Sequence, residues 1–184
     1  MRVITGTARG MRLKTLTGND VRPTIARVKE AVFSMIQFEI EGSAVLDLFC
    51  GSGQMGLEAL SRGAASCNFV DAAQASAQIT KENLKAARLY DRANVAVMDA
   101  QAFLQSSKSV FDIAFLDPPY HRGLIDEMLP VLAGKMSASG VILCETAADE
   151  TLPDQVGRFV KVKHNRYGTV AVHVYRIEET QVEG

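Results

Sequence analysis

Asp117-Pro118-Pro119-Tyr120 brings a carboxylate, proline carbonyls and an aromatic ring together within four residues. Each proline fixes its own φ and keeps the residue before it out of the helical region, so the segment is a stiff, extended corner. Such a corner suits a planar amine, with acceptors for its N–H groups and a ring to stack on. A plain turn closing a strand, with Asp117 as a turn residue, fits the same residues. What lies upstream decides between the two.

Upstream, Gly51-Ser52-Gly53-Gln54-Met55-Gly56 meets the G-x-G-x-x-G pattern between an apolar run and a helical one. Glycines allow close backbone approach, and a helix start offers free N–H groups to an anionic ligand part. Asp71 closes the next apolar run, 18 residues beyond Gly53, where a carboxylate can grip a ribose diol. Gly51, Gly53 and Asp71 therefore suit an adenosine-bearing cofactor, either a dinucleotide or S-adenosylmethionine. Asp47 stands where a dinucleotide would bring its phosphates, so an acid there favours the ammonium of an amino-acid moiety. The alternative for Asp47 is to cap the loop's own amides. Asp99 closes a third apolar run and fits either an adenine amino group or the cap of the next helix.

These groups need a scaffold, and the chain supplies an alternating one. Residues 44–49, 66–70, 94–98, 111–116 and 141–145 read as strands; 54–62, 73–89, 100–106 and 124–133 read as helices. That alternation implies an α/β fold, a parallel sheet with helices on both faces. Residues 2–6 and 11–16 read as a small hairpin, and 25–38 as an amphipathic helix capped by Thr24. At the other end, 158–164 and 169–177 alternate like an antiparallel hairpin, followed by a polar tail. The expected organisation is one domain over 1–184, a basic hairpin and helix over 1–38 preceding a core over 44–177.

With 184 residues, 47% of them hydrophobic, the chain can bury a full core. No apolar run approaches the ~20 residues that span a bilayer, and Met1–Gly6 begins no secretion signal, so a cytoplasmic protein is expected. Cys50, Cys67 and Cys144 are odd in number and scattered, which suits reduced thiols; with three histidines, no metal is expected. The net charge of −1 hides a segregation. Residues 1–38 carry Arg2, Arg9, Arg12, Lys14, Arg22, Arg27 and Lys29 against Asp20 and Glu30, while 158–176 carry five basic residues and no acid. Basic ends beside an acidic middle can form a positive face next to a cofactor pocket.

The run D-L-F-C-G-S-G-x-x-G-L-E-A-x-S-R-G-A at 47–64, followed by D-P-P-Y at 117–120, resembles S-adenosylmethionine-dependent N-methyltransferases. The flanks Arg2-Val3-Ile4-Thr5-Gly6, Arg22-Pro23-Thr24-x-x-Arg27-Val28-Lys29-Glu30 and Tyr167-Gly168 narrow the resemblance to the RsmD family. Ala26, Gln54-Met55 and Ala72-Ala73 depart from the family's usual pattern. The resemblance implies a Rossmann-like class I fold with a mostly parallel seven-stranded sheet, an antiparallel C-terminal hairpin and a small N-terminal extension. It implies methylation of the exocyclic N2 of one guanine in small-subunit (16S) ribosomal RNA, within a small subunit or an assembly intermediate. Asp117 and the Pro118 carbonyl would then hold the amine and Tyr120 would stack on the base. Pro119 with Arg9, Arg12, Arg22 and Arg27 would contact RNA. The same corner also serves adenine in DNA or a protein glutamine amide. A different class, a dinucleotide oxidoreductase or a bare binding module, leaves the corner or its retention without purpose.

Overall fold

The apolar runs become central strands because helices cover both of their faces. In the computed structural model, which describes residues 1–16 and 23–178, β1 (Ala44–Leu48) and β4 (Phe111–Leu116) are buried along almost their whole length. β2 (Ser66–Asp71), β3 (Ala93–Val97) and β5 (Met136–Ala147) join them, all five running parallel. β8 (Val170–Ile177) lies antiparallel to β5 and carries β7 (Phe159–Tyr167) and the two-residue β6 (Gln155–Val156). The order across the sheet is β3-β2-β1-β4-β5-β8-β7-β6. Progression reverses between β1 and β4, and the crevice at the carboxyl ends of two such strands is where open α/β sheets take ligands. The glycine-rich turn follows β1 and the Asp117 corner follows β4.

Helices α1 (Pro23–Met35), α2 (Gln54–Ser61) and α3 (Gln74–Ala86) cover one face of the sheet. α4 (Ala100–Ser106) and α5 (Leu124–Ala133) cover the other. The expected seven strands are eight, because β6 pairs with the edge of β7. β5 begins five residues earlier than its apolar run: Met136 pairs with Phe111 before an irregular step, while Ser137-Ala138-Ser139-Gly140 has no alternation to reveal a strand. The N-terminal hairpin has one bridge, Arg2 with Arg12, supported by Val3 N–H to the Met11 carbonyl. α1 stops at Met35, leaving Phe38 fully exposed after it. α1 already begins at Pro23, so Thr24 lies inside its first turn and is not its cap, and the tail beyond 178 lies outside the described residues. Cys50, Cys67 and Cys144 are buried free thiols. Among the described residues no helix is long and apolar enough to cross a membrane, and no acidic, His or Cys cluster could hold a metal.

The N-terminal segment is fastened to the core by one acid. Glu58, fully buried in α2, accepts from Ile4 N–H (2.9 Å) and Thr5 N–H (3.0 Å) and pairs with Lys29 Nζ and Arg62 Nε, both at 3.0 Å. Lys29 also donates to the Arg2 carbonyl, and the Arg62 guanidinium lies over the Phe33 ring. Burial alone would raise the Glu58 carboxyl; Lys29 and the Ile4 N–H outweigh it and hold it below the usual range. For Lys29, burial outweighs the pull of Glu58 and lowers its ammonium. Removing one partner leaves a buried charge without compensation. Glu58→Ala should therefore cost about 3–5 kcal/mol in chemical denaturation, whereas Glu58→Leu with Lys29→Met should recover much of that. A double variant as unstable as the single one would contradict this account.

Candidate functional site

The turn after β1 is shaped by positive φ and held from two sides. Phe49, Gly51 and Gly53 have φ of 64°, 55° and 79°, and Phe49 adopts this conformation without glycine's freedom. Asp47 is buried at the end of β1, and its Oδ2 accepts from Gly56 N–H (2.9 Å) in the first turn of α2. Asp71, ending β2, accepts from Gly51 N–H (3.0 Å) and from Ala73 N–H (2.9 Å). From α3, Thr80 Oγ1 donates to the Gly51 carbonyl (2.8 Å) and Asn83 Nδ2 to the Ser52 carbonyl (2.9 Å). A Cβ on Gly53 would come within 2.8 Å of Thr80 Cγ2, and one on Gly56 within 2.4 Å of the Phe69 ring.

In front of this turn opens a cleft of about 720 Å³, lined among others by Phe49, Asp71, Asp99, Asp117, Tyr120 and Leu124. Asp99 Oδ1 accepts from Ala102 N–H (3.0 Å), so it caps α4 as well as facing the cleft. Pro118 and Pro119 continue the wall. The corner is pinned from β5 and the loop after it. Tyr120 Oη donates to Glu145 Oε1 (2.7 Å), and Glu150 accepts from His121 N–H (2.8 Å) and Ala147 N–H (2.9 Å). Asp117 opens onto the cleft, yet the surrounding protein pushes its carboxyl well above the usual range. Burial is the main cause, with the charges of Glu145 and Asp47 adding to it. Burial likewise raises Glu145, against the bond from Tyr120. Asp47 is pushed up to about 7 by burial, opposed by Gly56 N–H.

The family described as "Conserved hypothetical protein 95" matches residues 1–176. Ribosomal RNA small subunit methyltransferase D of Escherichia coli K12 is 32% identical over 180 residues, covering 97% of this chain and 90% of that protein. YlbH of Bacillus subtilis is 38% identical, covering 96% and 98%. The chain belongs to this family, the RsmD family. The solved structure of yhhF from Escherichia coli matches at a TM-score of 0.87 and 32% identity, covering 98% of this chain and 99% of that one. The fold is the Rossmann-like class I methyltransferase fold, its mostly parallel sheet ending in an antiparallel hairpin.

Within this RsmD-family chain the cleft gathers Asp71, Asp99, Asp117, Pro118, Pro119 and Tyr120. Gly51 joins them through Asp71, and Gly53 through the turn into α2. Asp47 lies behind the turn and does not line the cleft; what it visibly does is hold Gly56. Arg9 and Arg12 are exposed on the N-terminal hairpin, and Arg27 on α1 two residues from Ile25 in the pocket beside Asp117. Ala8 N–H binds Ser61 Oγ at the far end of α2, so neighbouring Arg9 sits about one eight-residue helix, ~12 Å, from the glycine turn. Arg22 lies outside the described residues. Lys29, counted in the basic stretch, is buried in the Glu58 cluster and is not part of an exposed basic surface.

Sequence reasoning missed Thr80, Asn83, Glu145 and Phe49. Thr80 and Asn83 carried a signal, polar residues three apart on a buried helix face. Glu145 also carried one, an acid closing the apolar run Val141–Cys144. Phe49 showed none, since its strain exists only in the backbone. Gly53→Ala should lower stability by about 1–3 kcal/mol, through both the positive φ and the Thr80 contact. Adding Thr80→Ser, which keeps the hydroxyl and removes Cγ2, should recover part of the loss in thermal melts. No recovery would place the whole cost in the backbone.

Proposed function

We propose that this chain is an S-adenosylmethionine-dependent methyltransferase that modifies the exocyclic N2 of a guanine in small-subunit ribosomal RNA. One observation carries the proposal: the Asp117-Pro118-Pro119-Tyr120 corner opens onto the same cleft as Asp71 and Asp99. The cleft fits an adenosine-bearing cofactor in size and chemistry. Asp71 and Asp99 keep acceptor lone pairs beyond their backbone bonds, enough for a ribose diol and an adenine amine. Apolar Phe49 and Leu124 flank them. Asp47, behind the glycine turn, would lend negative charge to the ammonium end. When bound, the cofactor supplies an electrophilic methyl on a good leaving group.

The chain's own part is alignment. The guanine N2 lone pair is delocalised into the ring and is a poor nucleophile. Hydrogen bonds from its N–H groups to Asp117 and the Pro118 carbonyl favour a pyramidal nitrogen with its lone pair directed at the methyl. Tyr120, its hydroxyl fixed by Glu145, presents a ring for stacking. The proton leaves after transfer, so no strong base is needed. Reaching the N2 edge requires a nucleotide turned out of its stack or already unpaired. Arg9, Arg12, Arg22 and Arg27 would meet phosphates and position the RNA without reading sequence. The whole chain then acts as one catalytic unit in the cytoplasm, on a small subunit or an assembly intermediate.

Labelled S-adenosylmethionine, offered with unmethylated small-subunit particles, naked RNA, DNA and bulk protein, tests this proposal. Label recovered as N2-methylguanine from RNA or particles, and lost in Asp117→Ala, is the expected result. Label only on DNA or protein would replace the substrate, and label unaffected by Asp117→Ala would remove the corner from the chemistry. The pH profile follows from Asp117. Ionised, it is a pure acceptor and holds the N–H groups most strongly, and its pKa is raised, so activity should fall as pH drops through a window above the ordinary carboxylate range. An acidic limb near pH 4, the range of a free carboxylic acid, would contradict this.

A further inference from the structure

Three cavities meet at the Asp117 corner. The cleft reaches Asp117 and Tyr120; a small pocket under α1 is lined by Ile25, Lys29, Gln54, Asp117 and Glu145, among others. A third, of about 320 Å³, lies beyond Tyr120 and again includes Glu145. Glu145 therefore lines the two smaller spaces and shares the one under α1 with Asp117, and the function proposed above gives it no role beyond holding Tyr120.

Its chemistry allows more. One Glu145 oxygen accepts from Tyr120, and a carboxylate has about four lone-pair sites, so acceptors remain. Nearby, Gln54 Oε1 is buried with no hydrogen-bond partner. Lys29, the cation on this wall, is already held by Glu58 and the Arg2 carbonyl. The wall next to Asp117 thus offers acceptors. The pocket under α1 has a volume of only about 30 Å³, enough for a water and not for a purine. Only the edge of a base can reach in, while its ring stays at the mouth.

Base edges differ at this point. In guanine the N2 amine sits beside N1–H, a second donor; in adenine the N6 amine sits beside a bare N1, an acceptor. With either amine held at Asp117, guanine turns a donor towards Glu145, whereas adenine turns a lone pair towards a carboxylate. Resting on the function proposed above, we infer that Glu145 reads the N1–H of the target base and makes the site select guanine over bases with an unprotonated N1. Glu145 is then a specificity-determining residue, and its bond to Tyr120 sets its orientation.

The test uses RNA carrying either guanine or 2-aminopurine at the nucleotide that the wild-type protein methylates. 2-Aminopurine keeps the amine and has neither N1–H nor O6. Wild type should prefer guanine by roughly 10- to 100-fold in kcat/KM. Glu145→Gln, whose amide can donate to a bare N1, should bring the ratio towards one. Tyr120→Phe, which frees Glu145 from the bond that orients it, should slow both reactions and narrow the preference without abolishing it. A wild-type ratio near one overturns the inference without any variant, and so does a Glu145→Gln protein that keeps the wild-type ratio. Wild type that transfers no methyl to the guanine RNA overturns the proposed function instead.

Discussion

Buried Glu58 is the interaction on which the rest of the molecule depends. A carboxylate in the core is tolerated only when cations and N–H groups surround it, and here they come from three separated segments. The N-terminal segment gives Ile4 and Thr5, α1 gives Lys29 and the C-cap of α2 gives Arg62. α2 is the helix that begins at the glycine turn, so the basic arm and that turn are fastened to one rigid element. Gly6 shows how close that contact is: a Cβ there would fall 1.8 Å from the Ser61 carbonyl oxygen.

The same logic recurs at the site. Asp47, Asp71 and Asp99 each accept a backbone N–H, from Gly56, Gly51 and Ala102 respectively. Each stiffens the loop or helix start that it touches. Asp71 and Asp99 also line the cleft and keep acceptor sites free there, because a carboxylate has more acceptor sites than one N–H can fill. Asp117 is different. It lines the cleft and shares the pocket under α1 with Glu145, and two acids so placed, one of them held by a phenol, make an acceptor surface suited to a donor-rich edge.

Much of this was legible in the sequence, for physical reasons. Apolar runs of five or six residues bounded by turn residues can only be buried strands when helices alternate with them. The glycine spacing, Asp71 and the proline corner then fall at strand ends. The resemblance carried by 47–64 and 117–120, narrowed by the flanks at 2–6, 22–30 and 167–168, supplied the family. What stayed hidden depended on contacts between distant segments. Nothing in α1 marks Lys29 as a core residue rather than one more surface cation, because its partner is in α2. The start of β5 at Met136 depends on pairing with Phe111, and its small polar residues carry no alternation. Glu145 becomes a site residue only once Tyr120 is folded against it.

In the proposed function the cofactor lies in the cleft before Asp71 and Asp99, with its reactive end towards Asp117. A crystal structure with S-adenosylhomocysteine tests it most directly. The ribose hydroxyls should sit on Asp71, the adenine amine on Asp99, and the thioether sulfur should face the Asp117-Pro118 corner. Adenosine bound elsewhere, or a sulfur turned away from Asp117 with that corner filled by other groups, would contradict it.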